Sequence, residues 1–152
     1  MIDKSKILIR LAEESDIDEV YLMEREYIIE HEFEQLFRWD SAKERNMKMM
    51  LDNIHRMFVA TIDSKVIGHS YWSIYNDDPC VFSIYISKNY RNMGIATDLM
   101  IKVEEQIYKS NYKKITLSTL ETNPAQYLFN KLNYEEIGRK DGWINYEKFL
   151  IV

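Results

Sequence analysis

The chain has 152 residues, 46% of them hydrophobic and 30% charged, which is enough apolar material for one packed domain and excludes a disordered chain. A single cysteine, Cys80, excludes a disulfide framework and a multi-thiolate metal site. The net charge of −5 excludes a general nucleic-acid binder, which needs a basic stripe. No apolar run approaches the roughly eighteen residues of a membrane span. Met1 to Arg10 carries an acid and lacks a signal peptide's apolar stretch, so the expected home is the cytoplasm, with no membrane partner.

In chain order, Ile7 to Leu11 alternates as a short strand. Ser15 with Asp18 reads as a capping box opening a helix whose apolar face is Ile17, Val20, Tyr21 and Ile28. Glu30 to Asp40 is irregular and mixes acids with Phe33, Leu36, Phe37 and Trp39; Ser41 then reads as the cap of a second helix running to about His55. Met57 to Ile62 and Val66 to Tyr75 are strands joined through Asp63-Ser64-Lys65. Asn76-Asp77-Asp78-Pro79 is a further turn before a strand from Cys80 to Ile86. A helix from Gly94 to Lys109 has Ile95, Leu99, Val103 and Ile107 four apart, and Lys114 to Leu120 is a strand. Asn123 caps another helix with Pro124 at its start, and Asn133 suits its left-handed end. Tyr134 to Gly138 and Trp143 to Leu150 close the chain as a hairpin. The order is mixed α/β with one central strand–helix–strand crossover and no internal boundary, so residues 1–152 are read as one domain.

The segment richest in chemistry runs from Ile84 to Ala96: an apolar strand, a polar turn, then Arg91-Asn92-Met93-Gly94-Ile95-Ala96 opening an amphipathic helix. Backbone N–H groups at a helix start lack intrahelical partners, and the helix dipole favours an anion there. Gly94 and Ala96 keep side chains short, and Arg91 adds a fixed positive charge, so a pyrophosphate suits this turn. A dinucleotide fingerprint needs three glycines, and this loop has one.

Arg91-x-x-Gly94-x-Ala96 resembles the Gln/Arg-x-x-Gly-x-Gly/Ala signature of the GCN5-related N-acetyltransferases (GNAT). Ala125-Gln126-Tyr127-Leu128-Phe129-Asn130-Lys131-Leu132-Asn133-Tyr134 is similar to that family's second landmark, at the expected distance. The resemblance implies a central, mostly antiparallel twisted sheet of roughly seven strands flanked by roughly four helices. It implies acetyl-CoA as co-substrate, with no metal. Its pyrophosphate would rest on Arg91, Asn92, Met93, Gly94, Ile95, Ala96 and Thr97. The pantetheine arm would lie along Ile84, Tyr85 and Ile86 as an added strand, with Asn123 (or Thr122) and Phe129 nearby. Backbone around Ile86 would polarise the thioester carbonyl.

Two departures bear on mechanism. Phe129 stands where the family often has a proton-donating tyrosine, and Tyr127 lies on a different helix face. No carboxylate lies between Cys80 and Ile86, which leaves Asp78, acting through water, as the candidate base. His31, His55 and His69 have no ligand spacing, and His69 reads as a packed or solvent-facing strand residue.

From Glu13 to Asp40 there are eleven acids against two arginines, while Tyr85 to Lys114 has six bases against three acids. Glu30, Glu32 and Glu34 with Trp39 would draw a cationic acceptor by Coulomb and cation–π attraction. The expected activity is therefore acetyl transfer from acetyl-CoA to a small cationic amine, by direct attack in a ternary complex. The alternatives are a protein N-terminus, whose α-amine of pKa about 7.7–8.0 needs less help from a base, and a non-catalytic acyl-CoA-binding module. A homodimer is compatible with the sequence.

Overall fold

Seven strands form one open sheet in the order β1-β2-β3-β4-β5-β7-β6. The computed structural model describes residues 2–150. Its elements are β1 (Ile7–Leu11), α1 (Ile17–His31), α2 (Leu36–Ser41), α3 (Lys43–Asp52), β2 (Met57–Ile62), β3 (Lys65–Tyr75), β4 (Asp78–Ile86), α4 (Ile95–Lys109), β5 (Lys114–Leu120), α5 (Ala125–Lys131), β6 (Glu135–Lys140) and β7 (Trp143–Phe149). All neighbours are antiparallel except β4 and β5, which the α4 crossover makes parallel.

Strand alternation sends side chains to two cores. Phe58 and Ala60 of β2 join the core under α4 and α5, where Ile95, Leu99, Met100, Val103 and Ile107 form the buried face of α4. Met57 and Val59 join the core under α1 and α3, with Ile17, Val20, Tyr21 and Met23. The mostly antiparallel sheet and the four-residue spacing in α4 agree with the sequence reading.

Several local expectations are corrected. Glu30 to Asp40 is not irregular throughout: it contains most of α2, making five helices. Ser41 ends α2, its Oγ donating to Phe37 O at 2.7 Å, and it does not cap α3; the chain leaves helical geometry at Ala42 (φ −106°, ψ 24°). The capping box before α1 is Glu13 with Asp16, displaced from Ser15 and Asp18. Asp78 and Pro79 belong to β4; the turn between β3 and β4 is Asn76 and Asp77 alone, both at positive φ. Asn133 does take the left-handed conformation after α5, at φ 68°.

Two bulges matter for position. In the β3–β4 ladder Tyr71 faces Ser83 but Trp72 faces Val81, so Phe82 is an extra residue on β4. A bulge bends its strand and sharpens its twist. At the same point β4 parts from β5: Cys80 pairs Thr116 and Val81 pairs Leu117, and no later residue of β4 has a β5 partner. The second bulge, at Ile67 of β3, lies opposite the end of β2.

The start of α1 is anchored by ionic hydrogen bonds. Arg10 of β1 donates two bonds to Asp16, at 2.7 and 3.0 Å, and Asp16 also accepts the Glu13 N–H at 2.8 Å. The Arg10 bonds hold the Asp16 carboxyl below its ordinary range. A carboxylate with a depressed native pKa stabilises the fold above its unfolded pKa, and that contribution is lost as pH falls through the native value. Asp16→Asn should therefore cost about 1–3 kcal/mol at neutral pH, the scale of a hydrogen bond to a charged group. In urea denaturation the variant and the parent should converge as the solution is acidified through the Asp16 titration.

Candidate active site

The gap between β4 and β5 opens into a groove with a volume of about 490 Å³, walled by β4, the turn into α4, α5 and the end of α1. Ile84, Tyr85, Ile86, Arg91, Asn92, Gly94, Ile95, Ala96, Thr97 and Asn123 line it, as the sequence reading anticipated. Met93 does not: it packs against the core beneath α4. Thr122 is exposed and also outside the groove. Tyr27, Glu30, His31 and Lys131 line it without having been anticipated as cofactor contacts.

The free edge of β4 has a defined polarity. Ser87 N–H donates to Ile67 O at 2.9 Å, and Ser83 O accepts from Ser70 Oγ at 2.8 Å, so residues 83, 85 and 87 address β3. Pleat alternation turns the N–H and C=O groups of Ile84 and Ile86 toward the gap. At the mouth, the backbone N–H groups from Asn92 to Thr97 have no backbone acceptor among the described residues; the first of α4 to find one is Asp98, which donates to Gly94 O at 3.1 Å. Asn92 and Gly94 are both left-handed, at φ 63° and 81°, which curls this string of donors around one centre.

Arg91 also makes contacts within the protein that the chain alone did not disclose. Its guanidinium donates to both carboxylate oxygens of Glu30, at 2.8 and 2.9 Å, and its Nε donates to Ile86 O at 2.9 Å. It also stacks on Tyr85, 5.1 Å from the ring centre. Arg91 therefore ties the end of α1 to the end of β4. Glu30, its carboxyl pulled down by that guanidinium, is neutralised by it and is not an open anion for a cationic acceptor. Positive charge at the mouth comes also from Lys131 and from Lys4, whose Nζ lies 3.3 Å from where a Gly94 side chain would begin.

Deeper between the strands lies a cavity of about 60 Å³, walled by Glu24, Tyr27, Val81, Ser83, Ile84, Leu117, Asn123 and Phe129, among others. Phe129 is buried here against Tyr134 and Tyr146, at 5.9 Å from each ring, whereas Tyr127 points outward, 72% exposed. Asn123 Oδ1 accepts the Ala125 N–H at 2.8 Å, which caps α5 as expected and aims its Nδ2 at the Tyr27 hydroxyl, 3.4 Å away. His69 is neither solvent-facing nor simply packed: it is fully buried and bonds Glu24 Oε1 through Nε2 at 2.5 Å. Ser83 Oγ donates to the same oxygen.

Asp78 lies at the opposite end of β4, beside the β3–β4 turn and 3.3 Å from Lys114 Nζ, so it is no base for chemistry in this gap. Trp39 stacks on Tyr21 at 5.5 Å and, with Glu32, Arg38, Arg45 and Trp143, borders a separate groove of about 420 Å³. Burial raises the Glu32 carboxyl above its usual range, and Glu34 is exposed. Cys80 sits at the β4–β5 pairing, where burial pushes its thiol up, away from nucleophilic form. Glu24 and Tyr27 escaped the sequence reading, and the partner of His69 with them, because α1 meets β3 and β4 only in the tertiary fold; Glu24 lies 45 residues from His69 and 59 from Ser83, separations that carry no pattern.

Comparison with known proteins follows the same lines. The acetyltransferase (GNAT) family profile matches residues 14–134. The PaiA N-acetyltransferase of Thermoplasma acidophilum, solved in complex with coenzyme A, superposes with a TM-score of 0.79 at 19% identity, covering 94% of this chain and 98% of that one. The ribosomal-protein-S18-alanine N-acetyltransferase of Escherichia coli gives 0.69 at 17% identity, covering 96% and 95%. YncA of Salmonella typhimurium, solved with its cofactor acetyl-CoA, gives 0.70 at 12% identity, covering 96% and 95%. At these identities the structural likeness is one of fold. With the family profile spanning both the α1 region and the glycine turn, the chain belongs to the GNAT family of acetyltransferases.

Proposed function

We propose that the groove takes acetyl-CoA and that the transferred acetyl goes to the primary amine of a small cationic compound. The observation carrying this reading is the continuity of three features: six unpartnered N–H groups at the mouth, an unpaired strand edge along the groove, and a carboxylate at its inner end. Relatives of this fold bound to coenzyme A and acetyl-CoA support the cofactor. The N–H groups of Asn92 to Thr97, with Lys4 and Lys131, would hold the pyrophosphate. Ile84, whose N–H and C=O both face the gap, would exchange main-chain hydrogen bonds with the pantetheine arm as an added strand, while the Ile86 carbonyl is held by Arg91. The inward N–H of Ile86 would stabilise charge developing on the thioester oxygen. Phe129 has no proton to give and would serve as an apolar wall beside the sulfur.

For the acceptor, Glu24 in the inner cavity and Glu32 and Glu34 outside it favour a cation. A protein N-terminus is the second reading. It is supported by the separate groove at Trp39 and Trp143, whose mixed Glu32, Arg38 and Arg45 lining suits a peptide, and by the alanine N-acetyltransferase among the fold relatives. A panel of small polyamines, aminoglycosides and short peptides, followed by thiol release from acetyl-CoA, separates the two.

Gly94→Val should weaken acetyl-CoA binding by about tenfold or more, since a β-branched residue at positive φ costs about 1–3 kcal/mol and crowds the phosphate site. Calorimetry on the folded variant checks this; unchanged affinity removes the phosphate assignment. Glu32→Gln with Glu34→Gln should raise the KM of a cationic acceptor several-fold and leave that of acetyl-CoA unchanged. The difference should shrink as salt rises, because the Debye length falls from about 8 Å at physiological strength to about 3 Å at molar salt. Equal KM values at low salt remove the electrostatic account of the acceptor.

A further inference from the structure

We infer that α1 carries both proton-transfer groups of the reaction: Glu24 accepts the proton of the acceptor ammonium, and Tyr27, one turn later, donates to the departing thiolate. The inference rests on the acetyl-transfer reading above and deepens it.

Glu24 and Tyr27 lie three apart on α1, so they share one helix face. That face closes the gap between β4 and β5, and both side chains border the inner cavity with Ile84 and Asn123. Glu24 is 7% exposed, and its two oxygens have different surroundings. Oε1 is engaged by His69 Nε2 and Ser83 Oγ. Oε2 has no hydrogen-bond partner among the described residues, yet it is not sealed from solvent-sized space. It is therefore the oxygen open to the cavity. At about 60 Å³ the cavity has room for water, so the proton can reach Oε2 directly or through one water molecule.

His69 fixes this arrangement. Its Nδ1 is buried with no partner, and a buried N–H there would be an unsatisfied donor, which is costlier than an unfilled acceptor. The fitting tautomer is neutral, with the proton on Nε2 directed at Glu24. His69 touches neither substrate and is a positioning residue. The other ionisable groups facing Glu24 are Tyr71 of β3, Tyr27 on its own helix, and Glu32 just beyond that helix.

Tyr27 fills the vacancy left by Phe129. Its hydroxyl is aimed at the Asn123 amide, at the start of α5. Burial, with the Glu32 carboxylate beside it, pushes the phenol well above its ordinary range, so the hydroxyl carries its proton at neutral pH. The step balances as follows. The ammonium gives one proton to Glu24, and the free amine attacks the thioester carbon. The C–N bond forms and the C–S bond breaks, with the electron pair leaving on sulfur. Tyr27 gives its proton to sulfur and regains one from the nitrogen. The net result is an amide, free thiol and one proton, which Glu24 releases to solvent.

The test measures acetyl transfer by the whole chain to two primary amines, one strongly basic and one weakly basic and already neutral at assay pH. Acetyl-CoA affinity and thermal unfolding are measured alongside. Glu24→Gln should lower kcat for the basic amine by about 10²–10⁴, and far less for the weakly basic one, with acetyl-CoA affinity kept. Tyr27→Phe should lower kcat by about 10² equally for both amines, because its proton goes to sulfur. His69→Gln should show the amine-dependent loss of Glu24→Gln in milder form, and the double variant should be no worse than Glu24→Gln alone, as for groups acting as a unit. If Glu24→Gln does not fold, Glu24→Asp withdraws the carboxylate by one methylene and should show the same dependence on amine basicity. A folded Glu24 variant with parental kcat, or a loss equal for both amines, overturns the base assignment; a parental Tyr27→Phe overturns the acid. Parent protein that acetylates no amine in the panel defeats the functional reading itself, and this inference with it.

Discussion

The parallel pairing of β4 with β5 lasts two residues and then stops. A central strand edge left unpaired inside a domain is costly unless something else meets its N–H and C=O groups. Here the bulge at Phe82 bends β4 away, and the edge beyond it faces a groove wide enough for an extended ligand arm. The sheet is built with one strand missing, and a pantetheine chain has the main-chain-like amides to replace it. The other parts of the site take their positions from this opening. The turn after β4 brings its unpartnered N–H groups to one end, and α5 supplies a wall. Helix α1 lies across the opposite face.

Helix α1 closes the gap and is held at both ends by arginine–carboxylate pairs. Arg10 grips Asp16 at its start, and Arg91 grips Glu30 near its finish. Bidentate pairs of this kind add geometric constraint as well as energy. Arg91 also bonds the Ile86 carbonyl, so one guanidinium fixes the helix end and the strand end that together frame the groove. Between these two fixed points lie Glu24 and Tyr27, which need placement to within a fraction of a hydrogen-bond length to act on a reacting nitrogen or sulfur.

Electrostatics in the acidic segment are more local than its composition suggests. Asp16, Glu30 and Asp40 each have a cationic partner, respectively Arg10, Arg91 and Arg25, while Glu24 is held by hydrogen bonds from His69 and Ser83. What remains to act at a distance is a smaller group, including Glu32 and Glu34 near the groove at Trp39 and Trp143. A cation approaching this end would therefore meet a few carboxylates at short range and little of the segment as a whole. At the other end of the groove, with Arg91 paired, a polyphosphate would meet backbone dipoles and the cations Lys4 and Lys131.

Local physics made much of this legible in advance. Alternation located β1, and strand-forming composition located β2 and β5, to the residue; four-residue spacing located the buried face of α4, and Asn133 marked its left-handed turn. The glycine turn was legible because helix starts leave N–H groups unpartnered wherever they occur, and ten of the twelve residues expected to hold the cofactor line the groove. The proton-transfer groups were not legible. A carboxylate on α1, a histidine on β3 and a serine on β4 acquire meaning only when helix and sheet pack and water leaves the space between them. The same holds for Arg91 and Glu30, each read as a free charge in the chain and each neutralised by the other across 61 residues. Periodicity and capping depend on neighbours a few residues away, so the chain alone determined the elements and the glycine turn with its unpartnered N–H groups. Ion pairing and burial depend on which distant surfaces meet, so the partner of each charge was decided by the tertiary fold.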